Sequence, residues 1–418
     1  MTHTTAILDF ASAPHTLPPQ VCADATRLLA DTLAGGAAGA VSPEAAQLLG
    51  TIKRWGGGTE ARFLSGGTAP APSAAFFNGF AIHCLEWDAV HEPAVVHALS
   101  VVTAALLAAS DRAGGSDPDA FLMALAVGVD IASGLGLSAT GPMRFFRPAT
   151  AGVIGAALAV ARLEGLSCEQ MEDVLGLAYS SAAGTMQAHV EASITLPLQI
   201  ANAARAAICA VDLVKAGMDG PHDALEGPFG YSALIEPLDL SRYVPGEPWR
   251  ISEVSIKPFP SGRASHGALG ALQGMRGVKV ERITLHAPPL IHRLVGRPYN
   301  PDAPMSYNRL CLAFLAPLML RDGNIDPRLT ETDESLAQRV EVVLNGNPDG
   351  NALSPQRLVI TLTDGTVIER IITANLGSPA APMMPAQAAA KYDLCRDLAP
   401  QADRRIFDTP LAYATEPR

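Results

Sequence analysis

The sequence predicts a mainly α protein, in which an all-helical domain carries an inserted α+β lid domain. Three observations support this fold class. Hydrophobic residues make up 48% of the 418-residue chain but aromatic residues only 5%, which is typical of closely packed helices rich in small side chains. Strand-like patterns begin only past Trp249, and a helical pattern returns near the C-terminus. The length favours at least two packed units.

The first half of the chain has a helical pattern throughout. From Leu17 to about Arg205, apolar residues recur every three or four positions, as on the buried face of a helix. Pro18-Pro19 and Ser42-Pro43-Glu44 each come just before such a run and predict helix starts, because proline is well tolerated in the first helical turn. We therefore predict that this portion is all-helical.

The region beyond Trp249 mixes strands with helices. Residues 279–286 alternate between apolar and polar, and residues 357–373 predict two strands joined by an Asp-Gly turn. Residues 307–320 and 335–343 have helical patterns. We therefore predict that this region forms an α+β unit.

The order of these patterns sets the predicted domain boundaries. The helical pattern resumes at residues 385–398, after the α+β unit. We predict a discontinuous helical domain of residues 1–256 plus 376–418 and an α+β lid domain of residues 257–375.

Composition and motifs exclude several classes of function. The formal net charge of -11 argues against nucleic-acid binding, which needs a basic surface. The six cysteines are scattered without a CxxC pair, so no zinc site or iron-sulfur cluster is expected. Glycines near residue 136 follow no strand and precede no Gly-Lys-Ser/Thr, so no nucleotide site is expected either. We expect neither a cofactor nor a metal.

The chain also lacks the usual signs of membrane insertion or export. No uninterrupted apolar run reaches the ~18 residues of a membrane span, and the first ten residues lack a basic segment followed by an apolar one. We expect a cytoplasmic protein without membrane contact, and a homodimer because apolar helical bodies of this kind often pair.

The densest polar cluster lies in residues 78–97, where His83, His91 and His97 fall within fifteen positions. An imidazole titrates near neutral pH and suits general acid/base catalysis. The histidines lack the HExxH spacing of a zinc protease. The alternative is a purely structural role, with His83 satisfied inside a helix that Glu86 and Asp88 merely terminate.

Two further segments carry positive charge. Lys257, Arg263 and His266 lie on a loop with proline and glycine before an apolar helix, and the N-terminus of a helix attracts anions. Arg147 precedes a Gly- and Ala-rich helix, although arginines beside a proline are common at protein surfaces. These residues are candidates for binding substrate carboxylates.

The clusters together resemble the MmgE/PrpD family. The resemblance lies in the Asn-Gly, Ala-X-His and acidic-aromatic-acidic steps of residues 73–97, in Lys257-Pro-Phe-Pro followed by Arg263-Ala-Ser-His266, and in residues 294–298. It covers nearly the whole chain. It implies a helical domain, an α+β lid and a site between them.

The resemblance also assigns roles and reveals departures. His97 falls on the family's catalytic histidine and Lys257 on its hinge lysine. Glu86 and Val90 stand where the family usually has Asp and Thr.

Two proton-transferring groups of the family pattern are replaced. Arg147 stands at a common histidine position and Leu196 at a common lysine position. Arg147 stays charged at any working pH, so it is suited to hold a carboxylate and unsuited to transfer a proton.

The predicted function is a metal-independent hydro-lyase, similar to 2-methylcitrate dehydratase, that acts on a small di- or tricarboxylic acid. His97, with His83 or His91 nearby, would move the proton beside a carboxylate, while Lys257 would stabilise developing negative charge. The residues expected to bind the substrate are Glu86, Asp88, Arg147, Arg263 and His266.

Other reactions stay open. The resemblance also implies a cis-aconitate-type decarboxylase or an iminodisuccinate-type epimerase. The replaced histidine and lysine favour the epimerase, because fewer acid/base groups suffice when nothing leaves the substrate. A non-catalytic carboxylate-binding homologue is the remaining alternative.

Overall fold

A computed structural model describes residues 2–417 and shows a mainly α protein. The N-terminal helices lie where apolar periodicity predicts them, and α2 and α3 begin at the predicted prolines. Their bounds are α1 His3–Ser12, α2 Pro19–Ala40, α3 Pro43–Ile52, α4 Ala71–His83, α5 Ala98–Arg112, α6 Pro118–Ser138, α7 Arg147–Leu163, α8 Cys168–Ser180, α9 Gln187–Val190, α10 Thr195–Lys215 and α11 Tyr231–Leu234.

Small residues allow these helices to approach closely. A Cβ atom added at Gly155 of α7 would lie 2.3 Å from the carbonyl oxygen of Gly128 on α6. On α4, a Cβ atom at Gly79 would lie 3.3 Å from Ala201 of α10. Close packing of α4 against α10 and α5 fixes the C-terminal end of α4, where the candidate site begins.

The prediction that this half is all-helical is wrong at one point. Residues Ala61–Arg62 (β1) and Thr68–Ala69 (β2) pair as a short antiparallel hairpin. Gly66 and Gly67 between them have φ angles of 87° and 84°, which glycine adopts without the steric penalty that other residues incur. A two-residue strand leaves too little alternation to detect in the sequence.

The following region contains a four-stranded sheet with the order β4-β3-β5-β6. Strands β3 and β4 are parallel, and the other neighbours are antiparallel. The predicted strand at 279–286 and the predicted hairpin are confirmed. The strands are β3 Val280–Ala287, β4 Val340–Leu344, β5 Gln356–Leu362 and β6 Val367–Ile372.

Short helices surround this sheet. The helix predicted at 335–343 ends at Ala337, and the residues after it form β4 because they pair with β3. The helices are α12 His266–Gln273, α13 Pro289–Val295, α14 Met305–Asn308, α15 Leu312–Asp322 and α16 Glu334–Ala337.

The chain then returns to the helical body through α17 Pro385–Leu398, α18 Arg405–Asp408 and α19 Pro410–Thr415. All three pack on α2, and the predicted helix at 385–398 is confirmed. One hydrophobic cluster joins these helices to the N-terminal ones, and a second contains apolar residues from Phe259 to Ile372. The exact domain boundaries and the motion of a lid stay predictions.

Among residues 2–417, two helices are long and apolar enough to cross a membrane by length and mean hydropathy alone, α6 and α10. Neither contains an uninterrupted apolar run of that length, because isolated polar and small residues interrupt both helices. The most apolar window is 89% buried in α6 and 61% buried in α10, as in core helices of a folded body. Location in the cytoplasm stays a prediction.

Candidate active site

The candidate site is built on the connection between α4 and α5. His83 is the last residue of α4, and His97 lies immediately before α5. Within the connection, Glu86 has a φ angle of 54°, a left-handed conformation that non-glycine residues rarely adopt. An antiparallel bridge between Val90 and Ser255 places the segment that carries Lys257 beside this loop.

Asp88 is the centre of the site. Its Oδ2 atom accepts hydrogen bonds from His83 Nδ1, at 2.9 Å, and from the hydroxyl of Ser100. The Nδ1 atom of His97 lies 3.0 Å from the same oxygen. Burial acts to raise the pKa of Asp88, but His83, His97 and Lys257 together hold it well below its usual value. The carboxylate is therefore ionised and orients both imidazoles.

Lys257 binds the loop from the opposite side. Its completely buried ammonium group donates to the backbone oxygen of Glu86 at 3.0 Å and to Glu86 Oε2 at 3.1 Å. It also lies 3.6 Å from Asp88 Oδ1. Burial acts to raise the pKa of Glu86, but Lys257 and the histidines lower it to about 2. Both carboxylates are thus ionised around one lysine.

The two histidines on Asp88 have different electrostatic surroundings. Burial acts to lower the pKa of His83, but Asp88 and Glu86 raise it above its usual value. For His97, burial lowers the pKa and the attraction of Asp88 does not compensate, because Lys257 and His83 also oppose protonation. Relative to a free imidazole, the arrangement therefore favours the protonated form of His83 and the neutral form of His97.

Both histidines line a cavity of about 60 Å³, which has room for a few water molecules. Residues from the helical body and from the region of the sheet form its walls. The polar residues of the lining are His83, Glu86, Glu92, His97, His189 and Arg263.

Arg263 reaches the cavity wall but is already paired. Its Nε atom donates to Glu92 Oε1 at 3.0 Å, and its Nη1 atom donates to the carbonyl oxygen of Leu376 at 2.7 Å. His266 lies behind it, completely buried, with Nδ1 3.2 Å from Arg263 and Nε2 3.1 Å from the Ser261 hydroxyl. Burial and the charge of Arg263 hold the pKa of His266 well below its usual value. His266 supports Arg263 rather than lining the cavity.

Arg147 and His91 are not brought to the cavity. Arg147 is 1% exposed and binds Glu236, with its Nε atom 2.8 Å from Oε2. His91 is bound through Nε2 to Glu253, at 3.0 Å, and through Nδ1 to the backbone of Ala94. The expected roles of Arg147 on substrate carboxylates and of His91 in proton transfer therefore have no geometric support, because protein groups already occupy these side chains.

Sequence reasoning missed His189 and Arg297. His189 lies on the four-residue helix α9, lines the cavity, and has a pKa lowered to about 4 by burial and by nearby Arg297. Among residues 2–417, no side chain or backbone group forms a hydrogen bond with its imidazole. Arg297 donates through Nη2 to the backbone oxygen of His189 at 3.1 Å. His189 belongs to no recognisable motif, whereas Arg297 lies in the segment of residues 294–298 that resembles the family but was given no role in the site.

The side chains around Asp88 include a set of atoms that could bind a metal ion. His83, Asp88 and His97 offer three ligand atoms that lie within 4.8 Å of one another. The ammonium group of Lys257, 3.6 Å from Asp88 Oδ1, already supplies positive charge at this carboxylate. Repulsion from Lys257 disfavours a divalent cation at this position.

Comparison with known proteins identifies the family. Residues 9–239 match the model of the MmgE/PrpD N-terminal domain, which is more than half of the chain. The chain belongs to the MmgE/PrpD family. His83, Glu86, Asp88 and His97 lie within the matched region, whereas Lys257 follows it.

Curated relatives include proteins named cis-aconitate decarboxylase. The human protein is 30% identical over 277 residues, which are 61% of this chain and 56% of the relative. The mouse protein is 29% identical over 332 residues, 71% of this chain and 66% of the relative. The Aspergillus terreus protein is 26% identical over 348 residues, 73% of this chain and 70% of the relative. The chain thus spans between about half and two thirds of the length of the mammalian relatives.

Proposed function

We propose that this protein is a metal-independent lyase that eliminates water from a small carboxylic acid. The observation that carries this proposal is the pair of imidazoles, His83 and His97, that share one buried carboxylate at the wall of one cavity. Two titratable groups whose surroundings shift their pKa values in opposite directions are suited to act as acid and base.

In the proposed reaction, neutral His97 accepts the proton from the carbon next to a substrate carboxylate. Asp88 stabilises the imidazolium that forms, since its Oδ2 atom lies 3.0 Å from His97 Nδ1. Protonated His83 delivers a proton to the leaving hydroxyl group, which departs as water as the carbon-carbon double bond forms. Lys257 holds the loop in place through Glu86 and Asp88.

Movement of the α+β unit would admit the substrate and then exclude water from this chemistry. The cavity wall contains residues of both hydrophobic clusters, and Arg297 of the α+β unit donates to the backbone of His189 in the helical body. These contacts between the two parts of the chain support the proposal that the α+β unit covers the site. Closure strengthens the electrostatic interactions inside the site.

Decarboxylation is the second candidate, because the curated relatives are named for it. A carboxylate would leave as carbon dioxide, and protonated His83 would deliver a proton to the resulting carbanion. This reaction uses one proton donor, whereas dehydration uses both histidines.

The test is proton NMR of the full chain in buffer with 2-methylcitrate, citrate, malate, cis-aconitate, iminodisuccinate and 3-hydroxyhexanoate. We expect new vinylic signals from a hydroxy acid and their loss in His97→Gln and in His83→Gln. His222→Gln is the matched control, because that histidine side chain is 58% exposed and lies outside the cavity.

The other outcomes separate the alternatives. Release of labelled carbon dioxide from cis-aconitate would identify a decarboxylase. Loss of optical purity in iminodisuccinate without a new product would identify an epimerase. No reaction with any of these acids would contradict the proposal and favour a binding protein.

A further inference from the structure

His189 is a polar residue of the cavity wall that has no partner in the protein. It is 6% exposed, and within residues 2–417 its imidazole forms neither a hydrogen bond nor an ion pair. Polar side chains inside a protein normally have a partner, so this imidazole is available to a ligand. The other polar residues of the lining each contact a charged side chain of the protein, and they are His83, Glu86, Glu92, His97 and Arg263.

The backbone of His189 is held in place, although its side chain is not. Its carbonyl oxygen accepts hydrogen bonds from the backbone nitrogen of Ala192 and from Arg297 Nη2, both at 3.1 Å. Ala192 has a φ angle of 53°, a left-handed conformation that non-glycine residues rarely adopt and that is frequent at functional sites. The turn therefore fixes His189 at the cavity wall without using its imidazole.

His189 differs in charge from the other two histidines of the cavity. Burial and the nearby Arg297 lower its pKa to about 4, and Arg293 adds to this effect, whereas Glu86 opposes it. His83 and His97 lie against the carboxylate of Asp88, but within the described residues no carboxylate contacts His189. The imidazole of His189 is therefore neutral at pH 7, so one nitrogen donates a hydrogen bond and the other accepts one.

A hydroxyl group is the part of a hydroxy acid that best fits a neutral imidazole, because it can both donate and accept a hydrogen bond. A carboxylate only accepts, and its charge would favour protonation of His189, which burial and the two arginines oppose. Apolar Met186 and Leu196, from the same segment of the chain, line the same cavity and offer a hydroxyl group no competing partner. This wall thus favours a hydroxyl group over a carboxylate beside His189.

We propose that His189 hydrogen-bonds the hydroxyl group of the substrate and is the residue that makes the site prefer hydroxy acids over the same acids without the hydroxyl group. This inference rests on the proposed function, because the hydroxyl group that His189 recognises is the one that leaves as water. A site that hydrogen-bonds a substrate hydroxyl rejects the analogue that lacks it, since the polar group of the site then stays unpaired.

The test uses three pairs of acids that differ only by one hydroxyl group: malate and succinate, citrate and tricarballylate, and 3-hydroxyhexanoate and hexanoate. Both members of a pair carry the same number of carboxylates, so the comparison isolates the hydroxyl group. Isothermal titration in the His97→Gln background, which blocks the proposed turnover, should show about tenfold tighter binding of the hydroxy acid in at least one pair. Equal affinities within every pair, or no binding by any acid, would overturn the inference.

Variants in the same background assign the preference to His189. His189→Phe keeps a ring but removes both nitrogens, so it should weaken binding of the hydroxy acid about tenfold and leave that of its analogue unchanged. His189→Leu should give the same result if phenylalanine does not fit the space. His189→Gln keeps a donor and an acceptor and should keep part of the preference.

Met186→Leu is the matched control, because it changes the same cavity wall at nearly constant volume. It should leave the ratio of the two affinities unchanged. A preference for the hydroxy acid that is the same in His189→Phe, His189→Leu and the parent protein would overturn the role of His189.

These outcomes are distinguishable from failure of the proposed function. A preference that depends on His189, without elimination from any of the hydroxy acids by the wild-type chain, would support the recognition of the hydroxyl group and contradict the lyase. Elimination with a preference that does not depend on His189 would support the lyase and contradict the role of His189.

Discussion

The imidazole rings of His83 and His97 lie with their centroids 4.9 Å apart, and their pKa values are shifted in opposite directions. His83 is completely buried between two carboxylates, whereas the side chain of His97 is 12% exposed and lies against one carboxylate only. Their positions relative to Glu86 account for the opposite shifts, and the proposed reaction assigns the acid to His83 and the base to His97 on this basis.

The assignment of His83 as the acid and His97 as the base predicts a bell-shaped pH profile for kcat/KM. Activity should rise with pH through the pKa of His97, below 6.5, because the base must be neutral. It should fall with rising pH through the pKa of His83, above 6.5, because the acid must be protonated. Initial rates in buffers of constant ionic strength check both limbs. A profile with its acid limb above 6.5 would contradict the assignment of His97.

Glu86→Gln should destabilise the protein at neutral pH. The pKa of Glu86 falls from 4.5 to about 2 on folding, which corresponds to about 3 kcal/mol at neutral pH. A lowered carboxylate pKa stabilises the folded state above 4.5, and this contribution is lost as pH falls toward 2. Urea denaturation of both proteins at pH 7, 5 and 4 should show the difference shrinking in acid. If the difference in the free energy of unfolding grew as pH falls, the lowered pKa of Glu86 could not be its source.

Lys391→Met, on helix α17, should disturb the loop between α4 and α5 that carries Glu86 and Asp88. Lys391 lies 2.6 Å from Asp31 and donates to the backbone oxygen of Trp87, the residue between Glu86 and Asp88. Removal of the lysine leaves Asp31 buried without its partner, at a cost of about 3–5 kcal/mol. We expect a lower melting temperature and a lower kcat with little change in KM.

A double variant separates the two effects of Lys391. Asp31→Asn combined with Lys391→Met should recover much of the stability, because no unpaired charge remains, but should not recover kcat. Full recovery of kcat would show that Lys391 acts only through stability and does not position the loop.

Arg147 should prove structural. Its guanidinium group is paired with Glu236 inside the protein, so Arg147→Met should lower the free energy of unfolding by about 3–5 kcal/mol. Arg147→Met combined with Glu236→Leu should recover stability, with KM close to wild type at a temperature where both are folded. A large rise in KM in the stable double variant would show instead that Arg147 binds substrate.

Much of the site was predictable because its residues are close in sequence. His83, Glu86, Asp88 and His97 lie within fifteen positions, at the end of one helix and the start of the next. Lys257 was recognisable by its motif, but its contact with Glu86, 171 residues earlier, depends on the fold.

Other features depend on contacts that periodicity does not encode. Arg147 is occupied by Glu236, 89 residues away, so its sequence neighbours gave no sign of the pairing. The residues of β4 continue a helical pattern, and only pairing with β3 makes them a strand. His189 lies on a four-residue helix, too short for a periodic signal, and reaches the cavity through tertiary packing.

The central claim is proton transfer by His97 at the carbon next to a carboxylate. The most direct measurement is incorporation of solvent deuterium at that carbon in recovered 3-hydroxyhexanoate, 2-methylcitrate and malate, compared between wild type, His97→Gln and His222→Gln. We predict incorporation in wild type and in His222→Gln, and its loss in His97→Gln. Equal incorporation in His97→Gln and wild type would contradict the assignment of His97 as the base.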